Sequence, residues 1–138
     1  MKIIGYIIGM KKLAVFTVLI LFIAGTACSK DYEIREKAGE YDVEVKIDKN
    51  PPVVGDNIIK IDVKDASGHL SRDAKVVVEY SMPAMPGMPA MNYKADADLM
   101  GDAYTAKMNL SAAGSWNVAI IIVRAGKTST MKFTVDAK

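Results

Sequence analysis

Cysteine and histidine each occur once in the 138 residues, at Cys28 and His69. A single thiol allows no intrachain disulfide and no thiolate metal cage. A single imidazole excludes the multi-histidine sites of most zinc enzymes and leaves a serine–histidine–aspartate triad nothing to draw on but His69. No glycine-rich phosphate cradle, nucleophile elbow or pair of catalytic acids is present, so the sequence reads as that of a non-enzyme. Charge is also in short supply once the chain is divided. The formal net charge is +2, but residues 1–28 carry Lys2, Lys11 and Lys12 and no acid, which leaves 15 of the 18 basic residues against all 16 acidic ones. A near-neutral remainder has no electrostatic footprint for nucleic acid.

What is there begins with a short apolar run. Lys11-Lys12 precede residues 13–24, which end in Gly25-Thr26-Ala27-Cys28. A basic start, an apolar stretch of about 7–15 residues and small residues at its end describe a secretory signal. The run is shorter than the ~20 residues a spanning helix needs. The segment resembles a bacterial lipoprotein signal, which implies lipidation of Cys28, an extracytoplasmic domain tethered to the membrane, and residues 29–38 as a polar linker. In a Gram-negative host Ser29 implies a periplasmic face and outer-membrane sorting. An uncleaved N-terminal anchor is the alternative, and Met10 is a second possible start.

From Gly39 onward the pattern alternates with period two, the signature of strands with one wet face. Tyr41, Val43, Val45 and Ile47 form one such series, and Ile59, Ile61 and Val63 another. Val76, Val78 and Tyr80 form a third, and Tyr93, Ala95, Ala97 and Leu99 a fourth. Tyr104, Ala106, Met108 and Leu110 follow, then an apolar segment from Trp116 to Val123 that reads as a central strand covered on both faces. Met131, Phe133 and Val135 close the series. Seven strands separated by turn signals predict an all-β, antiparallel, immunoglobulin-like sandwich over residues 39–138. Trp116 is expected between the sheets, and Met100, Met108 and Met131 in the core. Asp96, Asp98 and Asp102 fall on or beside outward strand positions and read as solvated residues rather than a Ca²⁺ site.

Between the third and fourth strands lies Met82-Pro83-Ala84-Met85-Pro86-Gly87-Met88-Pro89-Ala90-Met91, two copies of one tetrapeptide about a Pro-Gly pair. Three prolines exclude a helix and remove three ladder donors. Thioether sulfur is a soft, neutral ligand that selects Cu(I) and has no proton to lose on binding. A straight polyproline II segment would set successive methionines about 9 Å apart, too far for one ion. A type II turn at Pro86-Gly87 instead brings Met85 and Met88 within ~7 Å and lets Met82 approach Met91. The candidate copper ligands are therefore Met82, Met85, Met88 and Met91, with His69 as a further donor. The competing readings are that Met82 and Met91, in phase with inward residues, cap the core, and that His69 is a solvated turn residue. A third is that the loop docks on a membrane-protein partner without metal.

Val54-Gly55-Asp56-Asn57, Asp65-Ala66-Ser67-Gly68, the Met-Pro loop, Gly101-Asp102-Ala103-Tyr104 and Ala113-Gly114-Ser115-Trp116 together resemble the YtkA-like domain family over about residues 40–136. The same outline is similar to the FixH proteins and, more distantly, to CopC-type copper carriers. The resemblance implies an immunoglobulin-like sandwich outside the cytoplasm with a role in handling copper, in oxidase assembly or metal efflux.

Overall fold

Alternating side chains build eight strands in a computed structural model that describes residues 31–138. The signal segment, Cys28 and the start of the expected linker lie outside the described residues. The strands are β1 (Tyr32–Ala38), β2 (Tyr41–Ile47), β3 (Gly55–Lys64), β4 (Lys75–Met82), β5 (Met91–Met100), β6 (Ala103–Leu110), β7 (Gly114–Arg124) and β8 (Lys127–Ala137). All neighbouring pairs are antiparallel, in the order β1-β2-β3-β6-β5-β4-β7-β8. The expected all-β class holds, with one strand more than the seven predicted.

The additional strand is β1. Tyr32–Ala38, read from the sequence as linker, pairs with β2 along its whole length, from Tyr32 opposite Ile47 to Ala38 opposite Tyr41. Charged residues mask its alternation. Glu33, Arg35 and Lys37 face water, where Arg35 pairs with Glu33 and with Glu44 on β2 and Lys37 with Asp42, while Tyr32 and Ile34 lean on the core.

The remaining seven strands divide as an immunoglobulin constant-type sandwich does, with β2-β3-β6-β5 in one layer and β4-β7-β8 in the other. β5 belongs to both. Its first seven residues pair with β4, from Met91 opposite Met82 to Ala97 opposite Val76. Its last three pair with β6, ending at Met100 opposite Ala103. The β5–β6 ladder therefore stops at Asp98 and Thr105, and the two strands part beyond it as the chain passes between layers.

Between the layers lies one apolar core that includes Val43, Val45, Ile47, Ile59, Ile61, Val78, Met108, Leu110, Trp116, Ile120, Ile122 and Met131. Trp116 is fully buried and its indole N–H donates to the Ala112 carbonyl at 2.9 Å. Met108 and Met131 are core as expected. Met100 is not: it is 65 % exposed at the β5–β6 turn. β7 also differs from expectation, for only its inward face is sealed. Asn117 is exposed, and Ala119, Ile121 and Val123 are half-buried on the outer face.

Register places every connection at one of two ends. The turns at residues 39–40, 101–102 and 125–126 and the loop 65–74 lie at one end. The loop 48–54, the hairpin tip 83–90, the loop 111–113 and the C-terminus lie at the other, the methionine end. This end is tied together by backbone bonds from Val54 N–H to the Lys138 carbonyl (3.1 Å) and from Lys138 N–H to the Pro52 carbonyl (3.0 Å).

Candidate metal site at the methionine hairpin

Met82 ends β4 and Met91 begins β5, directly opposite each other. Pro83 and Pro89 have no N–H to give, so the regular ladder lapses after this pair. It resumes once, at the tip. Met85 N–H donates to the Met88 carbonyl at 3.0 Å and Met88 N–H to the Met85 carbonyl at 2.9 Å. Pro86 and Gly87 form the turn between them, with Gly87 at φ +82°. Proline followed by a residue with positive φ is the type II pattern expected from the sequence, and glycine meets that φ without a Cβ clash.

The four methionines occupy one continuous register, with outer and inner members three positions apart. An odd separation along an extended chain turns successive side chains to opposite faces. Exposure divides the same way. Met82 is 1 % exposed, in contact with the core, whereas Met85 and Met88 are 42 % and 36 % exposed. Met91 is intermediate, and its sulfur accepts a hydrogen bond from Ser111 Oγ at 3.2 Å. Residues directly opposite in an antiparallel pair project from the same face, with Cβ atoms about 4.5–5.5 Å apart. Met85 and Met88 meet that condition, so two solvent-facing thioethers rise side by side from the tip.

His69 is not brought to them. It sits in the turn at the opposite end of β4, and eight strand residues separate the two ends by roughly 23 Å. There Asp65 Oδ1 accepts from Ser67 N–H (2.9 Å), Ser67 Oγ (2.6 Å) and His69 N–H (3.0 Å), and His69 Nδ1 lies 2.7 Å from Ser67 Oγ. The imidazole is an exposed turn residue.

Behind the hairpin stand Tyr80, Tyr93 and Trp116, which periodicity places on strands without assigning them to the loop. Tyr93 stacks on Tyr80 with ring centroids 5.4 Å apart and approaches Trp116 at 6.0 Å. Its hydroxyl lies 3.1 Å from Ser111 Oγ, the same atom that donates to Met91. Tyr93 is 41 % exposed because β5 and β6 have parted at this level. Tyr80 reaches across the opening, and its hydroxyl accepts from Asn109 N–H at 3.2 Å. An aromatic platform thus supports the base of the loop.

The chemistry offered at the tip is soft and neutral. Residues 81–93 contain no Asp, Glu, Lys, Arg or His. Among the described residues no group of three or more His, Cys, Asp or Glu side chains gathers to hold a metal ion. The carboxylates whose ionisation is displaced belong to other segments: Glu44 is lowered by its hydrogen bond from Lys46, Asp56 by that from Asn109, and Asp65 by that from Ser67. Two thioethers without a charged neighbour discriminate by softness, favouring Cu(I) over hard divalent ions.

A match to the YtkA-like family covers residues 35–121, well over half of the chain. The protein belongs to the YtkA-like family. The matched region of this YtkA-like chain starts within β1 and ends within β7, so β8, which pairs with β7 at eleven positions, completes the sandwich beyond it. The soluble domain of PmoD from Methylocystis sp. ATCC 49242 (Rockwell) has a similar fold, with a TM-score of 0.51 at 11 % identity, over 76 % of this chain and 97 % of that one. At that identity the likeness is one of fold. No curated protein matches the chain.

Proposed function

We propose that this YtkA-like protein is an extracytoplasmic, membrane-tethered domain that holds or passes on Cu(I) through Met85 and Met88, and that it acts by binding rather than catalysis. The observation that carries the reading is the bridged, solvent-facing pair at the hairpin tip, joined at 3.0 and 2.9 Å across Pro86-Gly87. Family resemblance to copper-handling domains supports it, as does the secretory character of residues 1–28.

The ligand set is smaller than the four sulfurs of the sequence motif. Met82 is committed to packing, Met91 shares its face and gives its sulfur to Ser111, and His69 stands at the far end, which leaves Met85 and Met88. Two neutral sulfurs leave Cu(I) open to an incoming ligand. An acceptor's soft donor can then bind before the methionines release the ion, a suitable arrangement for transfer to an oxidase-assembly or efflux partner. No proton is taken up or lost at sulfur during the exchange.

Titration of the purified protein with Cu(I) against a competing chelator tests the proposal. One equivalent should bind, and M85L together with M88L should abolish binding while preserving volume and apolarity. Binding unchanged in the double variant would overturn the assignment. Loss of copper binding with partner docking retained would separate the metal role from a purely adhesive one.

A further inference from the structure

We infer that the methionine end of the sandwich rests against the phospholipid bilayer, so that Met85 and Met88 sit at the membrane surface. The inference rests on the tethering part of the proposed function, and it follows from where the chain enters the fold. β1 runs from Tyr32 to Ala38, away from the methionine end: Tyr32 lies opposite Ile47, just before the loop 48–54, and its hydroxyl donates to the Thr134 carbonyl at 3.3 Å near the end of β8. The preceding chain therefore reaches the domain from the side that carries the hairpin.

That chain is short. Only residues 29–31 separate Cys28 from β1, and three extended residues span about 10 Å. If the apolar run 13–24 is instead retained as an anchor, seven residues intervene, and the attachment is still at the same end. Either form of tether holds this face to the lipid and turns the other outward.

Surface chemistry agrees with the orientation. The three connections of the methionine end, residues 48–54, 83–90 and 111–113, contain two charged residues, Asp48 and Lys49, which pair with each other at 3.1 Å; Asp31 and Lys138 at the chain ends are the other charges there outside the strands. The four connections of the opposite end, although slightly shorter in total, contain five: Glu40, Asp65, Arg72, Asp73 and Asp102. Val54, Met85 and Met88 are exposed at the methionine end. Residues 81–93 around the two methionines carry no charge, and an uncharged apolar tip rests at a lipid interface at least cost. A copper site facing the membrane would exchange its ion with acceptors embedded there, ahead of soluble carriers.

Met100 provides an internal reference, because it lies at the opposite end and its exposure of 65 % exceeds that of Met85 and Met88 by less than twofold. The full-length protein, processed in bacterial cells and stripped of metal, would be reconstituted into vesicles of phosphatidylcholine and phosphatidylglycerol. Flotation first establishes attachment, and limited hypochlorous acid then converts accessible thioethers to sulfoxides, each taking one oxygen as the oxidant is reduced to chloride. Peptide mass spectrometry should show Met85 and Met88 oxidised at least fivefold more slowly than Met100. Rates within the twofold set by exposure, in protein that floats, would overturn the inference while leaving the tether intact. Failure to float would remove the tether and the inference together. Protection in native membranes but not in pure lipid would replace the bilayer with a protein partner.

Discussion

Met82 and Met91 are register partners, yet their sulfurs live in different surroundings. Met82 is sealed inside, with its Cε 3.2 Å from the position a Cβ on Gly114 would take. Met91 remains half-buried and receives the Ser111 hydroxyl at its sulfur. The boundary between packing and ligand chemistry therefore runs through the decamer itself. One tetrapeptide written twice yields a core residue, two exposed thioethers and an intermediate.

The first prediction separates these roles by stability. Met82→Ala removes a fully buried side chain and should destabilise the domain by about 2–5 kcal/mol, the usual range for emptying a core methionine site. Met85→Ala and Met88→Ala touch exposed positions and should stay within about 0.5 kcal/mol of the parent. Urea unfolding measures all three. A Met85 or Met88 variant as costly as Met82→Ala would mean that the tip packs on the domain.

Much of the fold was legible because period two survives in nearly every strand. The seven series beginning at Tyr41 correspond to β2 through β8, and the turn at Pro86-Gly87 has the type its residues dictate. Three features were not legible. The alternation in β1 is masked by charges that its neighbour neutralises, a relation between strands that a single stretch of sequence does not display. Met100 is exposed because it ends β5 at the turn with β6, and Tyr93 gains exposure because β5 leaves one layer for the other; the parting of a ladder is a tertiary event. His69 and the methionines are thirteen or more residues apart, and only the direction of β4 reveals that they occupy opposite ends. The site was thus half visible: the inner pair could be named, and its isolation from the outer pair and from His69 could not.

Gly87 tests the turn. Its φ of +82° is one that L side chains adopt only under strain, and nothing lies within 4 Å of an added Cβ. Gly87→Ala should therefore act through the backbone alone, at about 1–2 kcal/mol, by loosening the bridge between Met85 and Met88. Cu(I) affinity should fall several-fold, with the core intact as judged by the near-ultraviolet signal of Trp116. Gly87→Asn should fall less, because asparagine tolerates a left-handed backbone. Equal affinity in all three proteins would show that the bridge does not organise the site.

Tyr104 offers a prediction for the charged end. Its hydroxyl donates to the Ser71 carbonyl at 2.8 Å and accepts from Ala74 N–H at 3.1 Å, fastening the loop 65–74 to β6. Tyr104→Phe keeps the ring and deserts both backbone groups, at a cost of about 1–3 kcal/mol. Burial also pushes the Tyr104 phenol above its ordinary ionisation range. Its contribution is therefore complete below the unfolded value near 10 and is lost as pH rises through the higher folded value. Thermal melts across alkaline pH should show a steeper decline for the parent than for Tyr104→Phe.

Asp65 carries the corresponding argument on the acid side. The Ser67 hydroxyl is the main reason its carboxyl lies below the usual range, with the His69 and Ser67 N–H groups adding to it. A depressed carboxylate stabilises the folded turn above the unfolded value near 4 and loses that contribution as pH falls through the folded value. Carbon-detected NMR titration should give Asp65 a lower midpoint than an unperturbed aspartate, and Ser67→Ala should move it back toward the ordinary value. An Asp65 midpoint unaffected by Ser67→Ala would contradict the hydrogen-bond origin. Because this turn and the methionine tip are held at opposite ends of β4, Ser67→Ala should leave Cu(I) affinity unchanged. A change there would show that the two ends communicate, which the rigid sandwich between them gives no reason to expect.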